Sequence, residues 1–211
     1  MKTLIERNTD KFTFYEKDSG YDVFKKFWVK SSNHILKLET RQIYLGEDSF
    51  DFFVNGDLNA MVNDIAEFWA DELNGTYRKI KNREVDFLRL HVVDFPLTDY
   101  LKSEFYSYIV SSRIGEQIKY VESNSVCSEY TLLDFVIFDN LAIMITEYNE
   151  NNEVVGDWFL EDQTIINKIS CEFFSLFDKG KDYRGMYNSD NAIEALLLAK
   201  MRELSPPGNE L

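Results

Sequence analysis

Two histidines, His34 and His91, are all the imidazole this chain offers. A histidine-rich metal site cannot be built from them, and a Ser-His-Asp arrangement would have to use one of the two. The phosphate-cradling Gly-x-x-x-x-Gly-Lys-Ser/Thr loop, the Gly-x-Gly-x-x-Gly turn and the His-Glu-x-x-His pair do not occur. Carboxylates are the remaining chemical currency. Glu39, Glu47, Asp99, Glu104, Glu116, Asp134 and Asp139 fall at or beside the ends of expected elements, where several could converge on Mg²⁺ or act as acid and base.

Opposite charges at structurally committed positions are more specific. Glu39 and Arg41 share one face of an alternating segment, Arg89 points away from an apolar Leu88/Leu90/Val92 face, and Glu104 falls inside an apolar helical stripe where a carboxylate needs a partner. A buried arginine–carboxylate network linking these elements accounts for them. Its functional form is a polar pocket for a small ligand or a partner's side chain, with Arg41, Tyr44, Arg89, His91 and Tyr100 as binding residues. As an enzyme, the chain would use Glu39, Asp99, Glu104 and Glu116. No pattern calls for a bound metal or cofactor, and neither is expected.

Periodicity indicates the elements that must position these groups. Val23, Phe24, Phe27 and Trp28 predict a helix from about Asp22 towards Ser32. Ile35 to Tyr44 alternates as a strand, with Leu36 and Leu38 opposite Lys37, Glu39 and Arg41. Leu58 to Leu73 is the clearest helix, with Asp57 as N-cap and Asn74-Gly75 as stop. Val85 to Val93 is a strand, a helix begins near Thr98, and Ile118 to Val121 is a strand. Leu132 to Phe138, Leu141 to Tyr148 and Val154 to Leu160 form a meander. Asp162 opens a helix through Phe177, and Asn191 and Glu194 stand at capping-box spacing for a last helix ended by Pro206-Pro207. The expectation is an α+β fold with a mostly antiparallel sheet, a β-meander in its C-terminal half, and four to five packing helices. Residues 1–20 read as a loosely held arm, 21–205 as one domain and 206–211 as a tail.

The chain has 211 residues, 23 Lys+Arg against 37 Asp+Glu, and a net charge of −14. Direct nucleic-acid binding is disfavoured, because phosphates must be neutralised by cations; the densest basic run, Arg78 to Arg83, meets Glu84 and Asp86 at once. A basic protein partner suits this charge, and the 17 Phe, 12 Tyr and 3 Trp exceed what a core readily absorbs, leaving anchors for an interface. No membrane segment or signal-peptide core is present, so a cytoplasmic location is expected, with Cys127 and Cys171 as reduced thiols.

Four stretches carry a resemblance. They are Leu38-Glu39-Thr40-Arg41-x-x-Tyr44-x-x-Glu47; Leu88 to Val93 with Pro96, Thr98-Asp99-Tyr100 and Glu104; Gly115-Glu116-x-Ile118; and Asp134 to Asp139. Together, from about Phe24 to Tyr183, they resemble an uncharacterised domain-of-unknown-function family found mainly in high-GC Gram-positive bacteria, often encoded beside helix-turn-helix regulators. In place of that family's usual Arg-Val-Arg-Val-Val, this chain has Arg89-Leu90-His91-Val92-Val93. The resemblance implies an intracellular bacterial protein in a regulatory, toxin–antitoxin or mobile-element setting. The leading expectation is an acidic protein that neutralises or regulates a basic partner, as an antitoxin, immunity protein or phage-borne inhibitor would. The alternative is a carboxylate- or metal-assisted hydrolase such as a nuclease or phosphoesterase.

Overall fold

A computed structural model describes residues 2–45, 48–75, 77–126 and 133–204. Glu47, Cys127, Leu132 and the expected tail lie outside them. The elements run α1 (Lys2–Arg7), β1 (Thr13–Glu16), α2 (Lys17–Lys30), β2 (His34–Glu39), α3 (Asp48–Val54), α4 (Leu58–Asn74), α5 (Arg78–Lys81), β3 (Asp86–Val93), α6 (Asp99–Ile114) and β4 (Gln117–Glu122). Then come β5 (Phe135–Phe138), β6 (Ala142–Tyr148), β7 (Val154–Leu160), α7 (Gln163–Lys179), β8 (Lys181–Asp182) and α8 (Asn191–Leu204).

The strands form one sheet in the order β1-β7-β6-β5-β2-β3-β4-β8. The β5-β6-β7 meander is antiparallel throughout. At the centre, however, β2, β3 and β4 are mutually parallel. The sheet is therefore mixed, which corrects the expected mostly antiparallel one. The reason is connectivity: β2 reaches β3 through α3, α4 and α5, and β3 reaches β4 through α6, so each strand returns in the same direction after a helical crossover. The expected four to five helices are also too few. The additional α1, α3 and α5 have six, seven and four residues, too short to show a repeating apolar stripe.

Alternation along the strands feeds two cores. Leu36, Leu38, Leu90 and Val92 pack with Ile166, Ile169 and Phe173 of α7. Ile35, Phe87, Val136 and Phe138 pack on the opposite side with Phe27 and Trp28 of α2, Ile65 and Trp69 of α4, and Leu101 and Ile109 of α6. Helices thus cover both faces of the sheet. Within the segment 1–20, read above as a loosely held arm, Leu4, Ile5 and Phe12 join the α7 core, and β1 pairs with β7. No helix among the described residues is long and apolar enough to cross a membrane.

Caps set where the helices begin. Asp57 accepts from the Ala60 amide at the start of α4, Thr98 from Leu101 at the start of α6, and Asp162 from Thr164 and Ile165 at the start of α7. In α8 the Ala192 amide bonds to Asp190, so the cap sits one residue before the expected Asn191.

Candidate functional site

The face of the sheet under α2, α4 and α6 carries the polar residues of β2 and β3. Period-two geometry turns Lys37 and Glu39 towards the same side as Arg89 and His91, with Lys37 opposite Arg89 and Glu39 opposite His91 in register. Arg89 Nη1 donates to both oxygens of Glu39, at 3.1 and 3.2 Å, and Nε donates to Glu116 Oε1 at 2.5 Å. Glu116 reaches this point because Gly115, at φ 122°, ends α6 in a left-handed turn directly before β4. Glu104, on α6, approaches Arg89 Nη1 at 3.7 Å and accepts a hydrogen bond from Tyr100.

Glu39 is the most heavily engaged group. Besides Arg89 it meets Lys37 Nζ at 2.6 Å and accepts from the Tyr108 hydroxyl at 3.0 Å. His91 Nδ1 lies 2.7 Å from that hydroxyl, and His91 Nε2 lies 2.9 Å from the Arg41 carbonyl oxygen, which can only accept. Nε2 therefore carries a proton.

These surroundings push the two carboxyls apart. Burial alone would raise the pKa of Glu39, but the charges of Arg89 and Lys37 outweigh it and hold it well below the usual carboxylate range. Burial, followed by the charge of Glu39, raises that of Glu104 against the opposing pull of Arg89. Burial and neighbouring carboxylates also keep Tyr44 and Tyr108 well above the ordinary phenol value, so both hydroxyls stay available as donors.

Glu39 and Glu104 both open onto a cavity of about 420 Å³ at the C-terminal half of β2, between the sheet and α2, walled by Tyr44, Tyr100, Tyr148, Lys37, Asp134 and Asp157. Asp134 ties its rim. It accepts from the Thr40 amide at 2.7 Å, the Thr40 hydroxyl at 2.8 Å, and the hydroxyls of Tyr44 and Tyr148 at 2.9 Å each. Gln42 clamps the same loop to the end of β3, donating to Val92 O and accepting from the Asp94 amide.

Of the residues expected at a site, the structure unites Glu39, Arg89, Glu104, Glu116, His91 and Tyr100, with Tyr44 on the cavity wall. Glu116 is fully buried behind Arg89 and does not face the cavity. Asp99 stands apart, paired with Lys102 on the outer side of α6. The side chain of Arg41 does not reach Arg89: because β2 ends at Glu39, it lies at the cavity rim, 3.9 Å from Asp134, stacked over Tyr148 at 3.7 Å from the ring centre and donating to Asn152. Asp139 accepts from the amides of Ser32, Asn33 and His34, fastening the start of β2.

Lys37, Tyr148 and Asp157 were missed by sequence reasoning. The two-residue spacing of Lys37 and Glu39 was the signal for the first; nothing local marks the other two.

A family model described as Domain of unknown function (DUF6879) matches residues 22–187. No curated protein matches significantly. Among solved structures, NucT from Helicobacter pylori is 8% identical with a TM-score of 0.48, over 82% of this chain and 98% of that one. Nuc from Salmonella typhimurium, a phospholipase D family member, is 11% identical with a TM-score of 0.46, over 84% and 97%. TrmBL2, an archaeal chromatin protein with a novel mode of DNA binding, is 11% identical with a TM-score of 0.45, over 86% of this chain but only 57% of that one. All these TM-scores are below 0.5, so the likenesses carry no functional argument.

Proposed function

The chain belongs to this family of domains of unknown function, and from that premise we propose that its cavity is a carboxylate acid site that hydrolyses an uncharged substrate. The observation that carries the proposal is that Glu39 and Glu104 share the Arg89 guanidinium and line one cavity while their surroundings push their proton affinities in opposite directions. Two carboxyls held in different states are the usual means by which one site supplies both an acid and a fixed negative charge.

Glu104 gives its proton to the leaving oxygen as the carbon–oxygen bond breaks and the electron pair passes to that oxygen. Positive charge developing on the carbon is stabilised by the Glu39 carboxylate, which Arg89, Lys37 and Tyr108 keep in place. Water then adds to the carbon and returns a proton to Glu104. Glu39 is too weakly basic and too fully hydrogen-bonded to serve as the base itself. An uncharged substrate suits the lining, because the Arg89 guanidinium is already committed to carboxylates and the charged groups of the wall, Lys37 apart, are acidic among mainly aromatic and apolar side chains.

The test is a set of chromogenic esters, glycosides and phosphodiesters, assayed with wild type, Glu104→Gln and Glu39→Gln. Turnover of a neutral substrate that falls at least about 100-fold in Glu104→Gln, with the fold retained, is the expected result. Full activity in Glu104→Gln, or no turnover by wild type, would overturn the reading.

The net charge of −14 supports a second reading, in which an acidic surface steers a basic protein partner. The antitoxin, immunity or inhibitor roles, the bacterial setting and the cytoplasmic location belong to that reading. It requires a stoichiometric complex whose association slows as salt rises.

A further inference from the structure

A second cavity, also of about 420 Å³, lies beside the first and is lined by Asp48, Ser49 and Asp64, by Phe68 and Trp69, and by Ser107. Lys37, Tyr77 and Glu104 line both cavities. The acid of the proposed reaction therefore stands in the wall between two lobes, each within the range of about 300–1,000 Å³ common for small-ligand sites.

We infer that the two lobes form one cleft for a neutral saccharide chain, with a sugar unit on each side of Glu104. Three observations support this occupant. Each lobe combines aromatic side chains, on which the C–H face of a sugar ring packs, with carboxylates and hydroxyls that bond to its hydroxyl groups: Tyr44 and Tyr148 with Asp157 on one side, the exposed Phe68 with Asp48, Ser49 and Ser107 on the other. The charges disfavour an anionic ligand: the carboxylates of both lobes repel an anionic chain, and the two cations of the lining, Lys37 and Arg89, are already paired with Glu39 and Glu116. Trp69, in the wall of the second lobe, is only 4% exposed, and its indole N–H is a buried donor without a hydrogen-bond partner among the described residues.

The inference rests on the hydrolase reading for what happens to the chain, but saccharide binding needs neither the Glu104 proton nor turnover. Cleavage would follow the sequence above, with the glycosidic oxygen as leaving oxygen and the anomeric carbon beside Glu39.

Titration calorimetry with neutral glycans of one to four units, in glucose, N-acetylglucosamine, mannose and galactose series, separates the two proposals. In at least one series the affinity is expected to rise tenfold or more from the monosaccharide to the trisaccharide. Ser107→Trp and Ser49→Phe, which fill the second lobe from two half-exposed positions, are expected to abolish that gain while monosaccharide binding and the melting temperature remain. Absence of binding in every series, or an affinity independent of length, would overturn the inference. Length-dependent binding without cleavage would uphold it and remove the hydrolase reading. Glu104-dependent turnover of neutral esters without saccharide binding would do the reverse.

Discussion

Arg89 reaches diagonally across the parallel β2–β3 pair to Glu39, one guanidinium nitrogen donating to both carboxylate oxygens at 3.1 and 3.2 Å. Both side chains are almost fully buried, and Glu116, on the far side of Arg89, is fully so. Removing the cation would strand the buried Glu116 carboxylate and leave Glu39 to Lys37 and Tyr108. Arg89→Met is therefore expected to lose about 3–5 kcal/mol of stability in urea unfolding at neutral pH. A loss under about 1 kcal/mol would show that the carboxylates find other partners.

The two carboxyls that share Arg89 respond to pH with opposite sign. Glu39 titrates below its unfolded value of about 4.3, so its stabilising contribution is complete above that pH and is lost as pH falls towards the folded value. Glu104 titrates above its unfolded value, so its contribution is complete below about pH 4.3 and is lost as pH rises through the folded value. Glu104→Gln is expected to melt above wild type at pH 8 and close to it at pH 4. Glu39→Gln should melt below wild type at pH 7, with a gap that narrows towards acid. Parallel melting curves for the two variants across this range would contradict the assignment.

Asp134 holds the wall of the first cavity through four hydrogen bonds. Asp134→Ala leaves the Thr40 amide and two tyrosine hydroxyls without their acceptor, and a loss of about 1–3 kcal/mol is expected. Amide hydrogen exchange should quicken first around residues 40–45, with the strand amides of β2 changing less. Uniform acceleration across the sheet would mean that Asp134 is a general support and not a rim anchor.

Gly156 tests how firmly the edge of the sheet is built. A Cβ at this position would lie 2.4 Å from the Tyr15 carbonyl oxygen and 2.5 Å from the Phe14 ring, so β1 must move away. Gly156→Ala is expected to cost about 1–3 kcal/mol and to expose the amides of β1 to exchange. Unchanged protection at Phe14 and Tyr15 would show that the edge adapts without separating.

Much of the scaffold was legible because it is written locally. The alternation of Leu36 and Leu38 against Lys37 and Glu39, and of Leu88, Leu90 and Val92 against Phe87, Arg89 and His91, assigns each side chain to a face, and the structure keeps those faces. The α4 stripe with its Asp57 cap, and the meander with its two turns, are recovered within a few residues. Arg41 shows the limit of the method. Alternation carried on past Glu39 predicts a shared face, but the chain turns there because Thr40 bonds to Asp134, a residue 94 positions away.

The sequence by itself determined which residues lie inside, on which face, and that a lone Arg89 and a stripe-bound Glu104 need charged partners, because a two- or 3.6-residue period and the penalty for an unpaired buried charge act over a single turn or strand. Only the tertiary structure decided that the central strands run parallel, that Glu39, Glu104 and Glu116 meet at one guanidinium, and that Lys37 and Glu104 stand between two cavities. A strand's period does not encode its neighbour or its direction. Those depend on crossovers through α3 to α6 and on pairings 27 and 50 residues apart, between Arg89 and its partners on β2 and beside β4.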